Sequence, residues 1–142
     1  MALKIIDHGT SEYKEMVKLR YNILRKPLNL DFAPEELERE KNDILICYFD
    51  DKSLEGCCLL TKSGPKEVRL RQMAVISGLQ KHGIGKALMQ FAENIARDRG
   101  FTKICMHARE TAVGFYEKLG YKKIGERFSE VTLPHFKMEK DL

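Results

Sequence analysis

Residues 80–86, Gln-Lys-His-Gly-Ile-Gly-Lys, form a short glycine-rich segment that could bind an anion. The segment precedes the clearest helical pattern in the chain, and the first backbone N–H groups of a helix have no partner inside it. The helix dipole places partial positive charge at the same end, and glycines let an anion approach the backbone closely. Lys81, His82 and Lys86 add side-chain charge. The segment therefore predicts a phosphate-binding site.

Two other phosphate-binding motifs do not fit this segment. A P-loop has Lys and then Ser or Thr after its second glycine, whereas Ile84 and Gly85 follow Gly83 here. A dinucleotide-binding fingerprint has a third small residue at the place that Leu88 occupies. A Gly-x-Gly pair alone is also compatible with a helix start that binds nothing, so the segment by itself leaves the ligand open.

The elements around this segment predict a mixed sheet. Seven stretches have the apolar pattern of strands: residues 3–7, 44–49, 54–61, 67–76, 101–107, 121–128 and 133–140. The second, third and fourth are joined by turn residues and predict an antiparallel meander. An amphipathic helix over residues 83–99 separates the fourth from the fifth, and such a short crossover makes the two flanking strands parallel.

Three further helices are expected. Thr10 or Ser11 can cap the first, which should end before Pro27. Pro34 and the two glutamates after it begin a second, short helix. Another short helix over residues 111–119 follows the fifth strand. The fold class is therefore α/β (α+β), with a meander first and a β-α-β crossover in the middle of the sheet.

Composition fits one folded domain over residues 1–142. Hydrophobic residues make up 43% and charged residues 32% of the chain, which is enough for a packed core. The net charge of +4 falls short of the concentrated basic surface of a nucleic-acid-binding protein. The four cysteines include no Cys-x-x-Cys pair, so we expect free core thiols and no metal site.

No stretch approaches the about 20 apolar residues that cross a membrane, and the first residues lack the apolar core of a signal peptide. A cytoplasmic location with no membrane partner is therefore expected.

Two motifs together resemble the hallmarks of the GNAT superfamily of acyl-CoA N-acyltransferases. They are Met73-Ala74-Val75 followed after four residues by Gln80-x-x-Gly83-x-Gly85, and Ala112-x-x-Phe115-Tyr116-Glu117-Lys118-Leu119-Gly120-Tyr121. Their separation and the order of strands and helices are similar to those of the superfamily over about residues 44–140. Residues 19–28 and 133–138 resemble the ElaA-like branch. The resemblance implies a GNAT-like, mostly antiparallel central sheet with helices on both faces.

The resemblance also implies how acetyl-CoA binds as co-substrate. Its diphosphate would lie on the backbone of residues 80–86, and its pantetheine arm would run along residues 73–75 as an added strand. The implied cofactor-binding residues are Met73, Ala74, Val75, Gln80, Lys81, His82, Gly83, Ile84, Gly85, Lys86 and Phe115. The Met73 N–H would stabilise the oxyanion of the tetrahedral intermediate, and Tyr116 would protonate or hydrogen-bond the leaving thiolate.

The motifs do not identify a general base. Some relatives have a glutamate four residues before the oxyanion donor, and this chain has Arg69 there. Glu67 would share a strand face with Arg69, and His107 and His135 have suitable ordinary pKa values. His135 is the first candidate. Arg109 stands where many relatives have Asn and could reach a phosphate, an acidic acceptor or water.

The acceptor site is also only outlined. Arg20 and Arg25 on the first helix could form a positive wall for an acceptor with a carboxylate, or simply face solvent. The candidate acceptor-binding residues are therefore Arg20, Glu67 and His135.

The resemblance implies an N-acetyltransferase that moves the acetyl group of acetyl-CoA to a small-molecule acceptor, in particular a primary amine. Transfer would occur by direct attack in a ternary complex and without a metal. A coenzyme-A-binding sensor without turnover stays open, because Arg69 stands where a base is expected. A nucleic-acid module is disfavoured, because the basic residues are mixed with acids. An exposed final strand would permit a homodimer.

Overall fold

The computed structural model describes residues 2–76, 78–79 and 83–142. Its strands are β1 Ala2–Ile6, β2 Ile44–Asp50, β3 Ser53–Gly64, β4 Glu67–Val75, β5 Lys103–Arg109, β6 Lys122–Glu130 and β7 Leu133–Asp141. Its α-helices are α1 Ser11–Arg20, α2 Pro34–Arg39, α3 Ile84–Asp98 and α4 Val113–Lys118. The strands form one sheet in the order β1-β2-β3-β4-β5-β7-β6. The predicted mixed, mostly antiparallel sheet is confirmed.

The crossover helix α3 sets the direction of its two flanking strands. β4 and β5 pair in parallel, as predicted, and every other pairing among the described strands is antiparallel. Ile84, Leu88, Ala92 and Ala96 recur every four residues along α3 and are buried. This stripe packs against one face of the sheet, where Met106 is among its partners.

The other face of the sheet is covered by α1. Thr10 caps this helix, since its Oγ1 accepts a hydrogen bond from the Tyr13 N–H at 3.2 Å. Tyr13, Met16 and Leu19 are buried against β2 and β3, with Leu59 among the strand residues they pack on. Helices therefore lie on both faces, as the resemblance implied.

α1 ends at Arg20, before Pro27, as predicted, but the chain stays helical beyond it. After α1 the chain continues through a π-helical turn, Tyr21–Arg25, and a 3-10 turn, Lys26–Leu28. Pro27 is tolerated because it lies in the first turn of the 3-10 segment, where its missing N–H leaves no hydrogen bond unmade. Asn29, with φ 56°, ends the segment. The π-helical turn brings residues 23–25 to the pocket described below.

The final strand is not at an edge of the sheet, so the expectation of an exposed final strand is wrong. β7 lies between β5 and β6, because β6 pairs with it as the outer strand of a hairpin. The two edges are formed by β1 and β6. This placement removes the argument for a homodimer formed through the last strand.

All four cysteines are free and buried, as expected: Cys47, Cys57, Cys58 and Cys105. Burial raises the pKa of the Cys57 and Cys58 thiols well above the ordinary value. No group of three or more His, Cys, Asp or Glu side chains in the described ranges is placed to hold a metal ion. Within the same ranges, no helix is both long and apolar enough to cross a membrane.

Candidate active site

A cleft opens between β4 and β5 at their carboxyl ends. The last residue pair in their parallel register is Leu70 with Met106, although β4 continues to Val75 and β5 to Arg109. A pocket of about 630 Å³ lies in this divergence. Its walls come from the ends of both strands, the starts of α3 and α4, residues 23–25 and the β6–β7 hairpin. The pocket is thus lined by elements from both faces of the sheet.

A β-bulge in β4 accompanies the divergence. On β3, Leu59 pairs with Arg71 and Cys57 pairs with Ala74, so two steps along β3 match three along β4. Gln72 lies within the extra step and has φ 58°, in the left-handed region. The extra residue reverses the in-and-out alternation, and Ala74 consequently packs with the α1 face of the sheet.

The bulge leaves Met73 without a register partner on either β3 or β5. Met73, Ala74 and Val75 all line the pocket. The three residues expected to lie along the pantetheine arm are therefore together on one wall of the cleft. The role of the Met73 N–H as an oxyanion donor stays a prediction.

The structure describes the predicted phosphate-binding segment only from Gly83 onward, the residue directly before α3. Three of its predicted residues lie outside the described residues: Gln80, Lys81 and His82. Gly83 has φ 80°, and Lys86 is exposed. Gly85 lines the pocket, and a Cβ there would lie 3.2 Å from the Phe115 ring. Ile84 is buried in the core, so its side chain faces away from any cofactor.

Tyr116 on α4 lines the pocket and is buried, with 6% of its surface exposed. Its ring contacts those of Phe115 and Tyr121 edge-on, at centroid distances of 5.0 and 5.9 Å. Its hydroxyl has no hydrogen-bond partner among the described residues. Burial raises the pKa of the Tyr116 hydroxyl above its ordinary value, so the group is protonated at neutral pH. A protonated hydroxyl is the form that a general acid needs.

Arg20 lies away from the pocket, which argues against its predicted contact with an acceptor. Its guanidinium is fully buried and donates to both carboxylate oxygens of Glu40, at 2.7 and 2.6 Å. Tyr13 donates to the same carboxylate at 2.8 Å. Arg20 therefore joins the end of α1 to the segment after α2, which is a structural role.

Glu67 is also distant from the pocket, so its predicted role as base or acceptor ligand is not supported. It begins β4, six residues before Met73, a separation of about 20 Å along an extended strand. Its carboxylate accepts a hydrogen bond from Ser63 at 2.9 Å. Alternation along the strand placed Glu67 correctly on the face of Arg69, but at the wrong end.

His135 lies at the pocket, as predicted, and contacts a carboxylate that the sequence analysis did not single out. The His135 ring is buried; Nδ1 lies 2.9 Å from the Leu133 carbonyl oxygen and therefore donates to it. The other ring nitrogen, Nε2, is 3.7 Å from Oε2 of Glu130. Glu130 and His135 both line the pocket.

Glu130 also contacts His107. The His107 Nδ1 atom lies 3.0 Å from Oε1 of Glu130 and 2.9 Å from Nη2 of Arg69. This nitrogen donates to Glu130 when it carries a proton and accepts from Arg69 when it does not. Burial alone would raise the pKa of Glu130, but the His107 hydrogen bond and the charges of His107, His135 and Arg69 outweigh it and lower the pKa. Glu130 is therefore a carboxylate at neutral pH.

The β6–β7 turn explains why Glu130 was missed. Val131 and Thr132 form a two-residue connection with φ values of 45° and 64°. Such turns ordinarily show Asn, Asp or Gly, and two β-branched residues give no turn signal. A two-residue turn at this point pairs Glu130 with Leu133 and Phe128 with His135. Recognising the turn would therefore have placed Glu130 close to His135.

Three arginines complete the pocket lining: Arg25, Arg71 and Arg109. The Arg109 Nη2 donates to the Leu24 carbonyl at 3.2 Å. Burial lowers the pKa of Arg109, and the nearby charge of Arg25 lowers it further. Arg25 and Arg109 thus lie together at the π-helical side of the pocket, whereas Arg20 does not.

A family sequence model described as "Acetyltransferase (GNAT) domain" matches residues 19–142. Among curated proteins, the uncharacterized protein YyaT of Bacillus subtilis is 32% identical over 74 residues, which cover 52% of this chain and 50% of YyaT. The chain spans about half the length of the first curated relatives it matches. The uncharacterized N-acetyltransferase YjcF of Bacillus subtilis is 28% identical over 140 residues, covering 96% of this chain and 98% of YjcF.

Solved structures share the whole fold. A putative N-acetyltransferase from Lactobacillus plantarum has a TM-score of 0.86 at 23% identity and covers 100% of this chain and 99% of its own. Escherichia coli ElaA has a TM-score of 0.85 at 16% identity, with 98% of each chain covered. An aminoglycoside 6'-N-acetyltransferase complexed with coenzyme A has a TM-score of 0.83 at 22% identity, covering 99% of this chain and 97% of its own.

Proposed function

This chain belongs to the GNAT family of acyl-CoA-dependent acetyltransferases, and from that premise we propose that it transfers the acetyl group of acetyl-CoA to a primary amine on a small molecule. The observation that carries the proposal is the cleft between the diverging ends of β4 and β5. Met73 and Tyr116 lie on its walls, and the start of α3 adjoins it. Both reactants can therefore reach one place from opposite faces of the sheet.

The residues present fit acetyl-CoA as the co-substrate. Met73 has no register partner on β3 or β5 and lines the cleft, so an extended pantetheine arm would lie along it there. The first turn of α3 would hold the diphosphate, since the first backbone N–H groups of a helix have no partner inside it. The missing side chain at Gly85 leaves room for Phe115, which also lines the cleft. The thioester supplies the acetyl group, and the Met73 N–H would stabilise negative charge on its carbonyl oxygen.

Tyr116 supplies the proton for the leaving group in this proposal. Its buried hydroxyl is protonated at neutral pH and is not held by another described residue. When the C–S bond breaks, the thiolate would take the Tyr116 proton and leave as the thiol. Removal of the hydroxyl alone therefore affects the chemical step more than co-substrate binding.

His135 supplies the base. An amine enters mostly as an ammonium ion and must lose a proton before its nitrogen attacks the carbonyl carbon. The Nδ1–H group of His135 donates to the Leu133 carbonyl oxygen, so Nε2 is the nitrogen that can accept a proton from the amine. Glu130, 3.7 Å from Nε2, would stabilise the imidazolium that forms. The pair replaces the strand glutamate whose position Arg69 occupies.

The test is release of free thiol from acetyl-CoA with a panel of primary amines, for the wild type and for Tyr116→Phe. We expect turnover with at least one amine, a kcat lowered by about 100-fold or more in Tyr116→Phe, and little change in acetyl-CoA affinity by calorimetry. Tyr121→Phe is the matched control, because its hydroxyl bonds Glu93 at 2.9 Å and not the pocket.

Two outcomes would contradict the proposal. Tight acetyl-CoA binding without thiol release for any amine would indicate a coenzyme-A-binding sensor. Equal kcat in the wild type and Tyr116→Phe would remove Tyr116 from the mechanism.

A further inference from the structure

The lining of the pocket has an excess of positive charge. Among the described residues that line it, Arg25, Arg71 and Arg109 are cationic and Glu130 is the one carboxylate. An amine acceptor alone would need negative charge, because it approaches as an ammonium ion. The three arginines are therefore not explained by recognition of an amine.

The arginines differ in their partners. Arg25 lies 3.3 Å from the carboxylate of Glu36, and Arg71 lies 3.9 Å from that of Asp43. Within the described part of the chain, no carboxylate lies within 4.0 Å of the Arg109 guanidinium, which donates to the Leu24 carbonyl. Arg109 is thus a partly buried cation with a neutral partner, and most buried charges in proteins are paired with an opposite charge.

A second positive charge next to Arg109 makes this arrangement more costly. Burial and the adjacent charge of Arg25 both lower the pKa of Arg109, which means that both disfavour its charged form. Arginine nevertheless stays protonated at any physiological pH. An anion bound to Arg109 would offset both effects, and carboxylates and phosphates form strong hydrogen bonds with a guanidinium group.

Arg109 lies on the acceptor side of the sheet. It pairs in register with His135 on β7, and residues directly opposite on antiparallel strands project from the same face. The neighbouring residue, Ala108, instead packs with the α3 side, where the coenzyme diphosphate is expected. Arg109 therefore belongs with His135, and its reach toward Leu24 leads away from the start of α3.

We propose that the acceptor carries an anionic oxygen group, a carboxylate or a phosphate, that binds to Arg109 with Arg25 beside it, while its amino group lies next to Glu130 and His135. The acceptor class is thus a small zwitterion such as an amino acid or an aminoalkyl phosphate. This inference rests on the proposed function and narrows its substrate class.

The test compares matched acceptors by thiol release at fixed, saturating acetyl-CoA. One arm uses amino acids and their neutral amides, and a second uses aminoalkyl phosphates and the corresponding amino alcohols. We expect kcat/KM to favour the anionic member of at least one pair by about 10- to 100-fold, the range for one charge-assisted hydrogen-bonded contact. The arm that shows the larger ratio identifies the anion.

Variants of Arg109 then test whether this residue causes the preference for anionic acceptors. In Arg109→Gln the ratio should fall toward one through a higher KM for the anionic acceptor, and Arg109→Lys should retain part of it. The KM for acetyl-CoA should change by less than about twofold, since the diphosphate is expected at α3. Arg97→Gln, which removes an exposed arginine of α3, is the matched control and should keep the wild-type ratio.

The outcomes separate the two proposals. Thiol release with equal kcat/KM for anionic and neutral acceptors would overturn this inference and leave the acetyltransferase proposal standing. A raised KM for acetyl-CoA in Arg109→Gln, with the acceptor ratio intact, would assign Arg109 to the co-substrate and also overturn it. No thiol release from any amine would reject the proposed function and the inference together.

Discussion

Glu130 connects the ionisable side chains on the proposed acceptor side of the pocket. It contacts His107 at 3.0 Å and lies 3.7 Å from Nε2 of His135, so one carboxylate connects both histidines. Arg69 completes the cluster at 3.9 Å from Glu130. Because the lowered pKa keeps Glu130 charged, an imidazolium at His135 would have a negative neighbour throughout the physiological range.

The first prediction at this scale concerns Glu130→Gln, which keeps the shape of the side chain and removes its charge. We expect kcat to fall by roughly 10- to 100-fold, because the protonated form of the base loses its stabilising neighbour. The acidic limb of the kcat/KM profile should also move to lower pH for the same reason. A pH–rate series with wild type and Glu130→Gln measures both, and coincident profiles would contradict the role given to Glu130.

The stability of Glu130→Gln has its own pH dependence, which checks the charge state of Glu130 in the wild type. A carboxyl group with a lowered pKa in the folded state stabilises the protein above its unfolded-state pKa, about 4.3, and loses this contribution as the pH falls through the folded-state value. The wild type should therefore have a higher Tm than Glu130→Gln near pH 7, and the difference should shrink below about pH 4.5.

Two errors of residue assignment have a common physical origin. The sequence places Arg20 on a helix face and Glu67 on a strand face, but neither periodicity says what covers that face. Arg20 is buried because Glu40, from a segment 20 residues later, pairs with it. Met73 and Tyr116 were placed at the pocket by the resemblance of their motifs to those of the GNAT superfamily, whereas the partner of a side chain depends on tertiary contacts.

At the scale of elements, the β6–β7 hairpin carries backbone strain beside the pocket. Val131 and Thr132 both have positive φ, which β-branched residues rarely adopt. Val131 and the adjacent Glu130 line the pocket, and strain of this kind often occurs at functional sites. The strained turn therefore lowers local stability but places Glu130 close to His135.

Replacing Val131 and Thr132 by Asn and Gly should stabilise the protein. Both new residues adopt left-handed conformations readily, so the free energy of unfolding should rise by about 1–2 kcal/mol. Denaturant unfolding with an unchanged m-value is the measurement. A double replacement by Ala is the matched control, since it shortens both side chains but keeps their Cβ atoms. An equal gain in the Ala variant would show that left-handed strain is not the cause.

Most elements could be predicted from the sequence, and the exceptions share a reason. The amphipathic stripe of α3 and the meander of β2 to β4 follow from local periodicity, and they agree with the structure to within three residues at each end. The position of β7 inside the sheet does not follow from local periodicity, because either strand of the β6–β7 hairpin could pair with β5. The π-helical and 3-10 turns that follow α1 were not predicted, because nothing in the local pattern shows that a change of helix type accommodates Pro27.

At the scale of the whole molecule, the sheet separates two kinds of chemistry. α3 and α4 occupy the face expected to hold the co-substrate, and α1 covers only part of the other face, over β2, β3 and the end of β4. Beyond α1, that face carries polar side chains on β5 and β7, among them His107, Arg109 and His135. The divergence of β4 from β5 connects the two faces, and the proposed direct transfer in a ternary complex would need such a connection.

Binding of acetyl-CoA should therefore stabilise the whole fold, since it would fill the cleft that divides the sheet. At a concentration of about 100 times its Kd, a ligand specific for the folded state adds about 2.7 kcal/mol, which raises the Tm of a chain of this size by roughly 5–10 °C. Thermal unfolding with and without acetyl-CoA measures the shift. In Gly85→Asp the shift should disappear, because the new side chain meets Phe115 and places negative charge where the diphosphate is expected.

Gly114→Asp is the matched control for this shift, because it adds the same charge at an exposed position of α4 where a Cβ meets no atom within 4 Å. It should keep a Tm increase close to that of the wild type. If Gly85→Asp also keeps the full increase, the diphosphate does not lie at the start of α3. Because the cleft is continuous with that helix start, such a result would also remove the reason for placing the pantetheine arm along Met73.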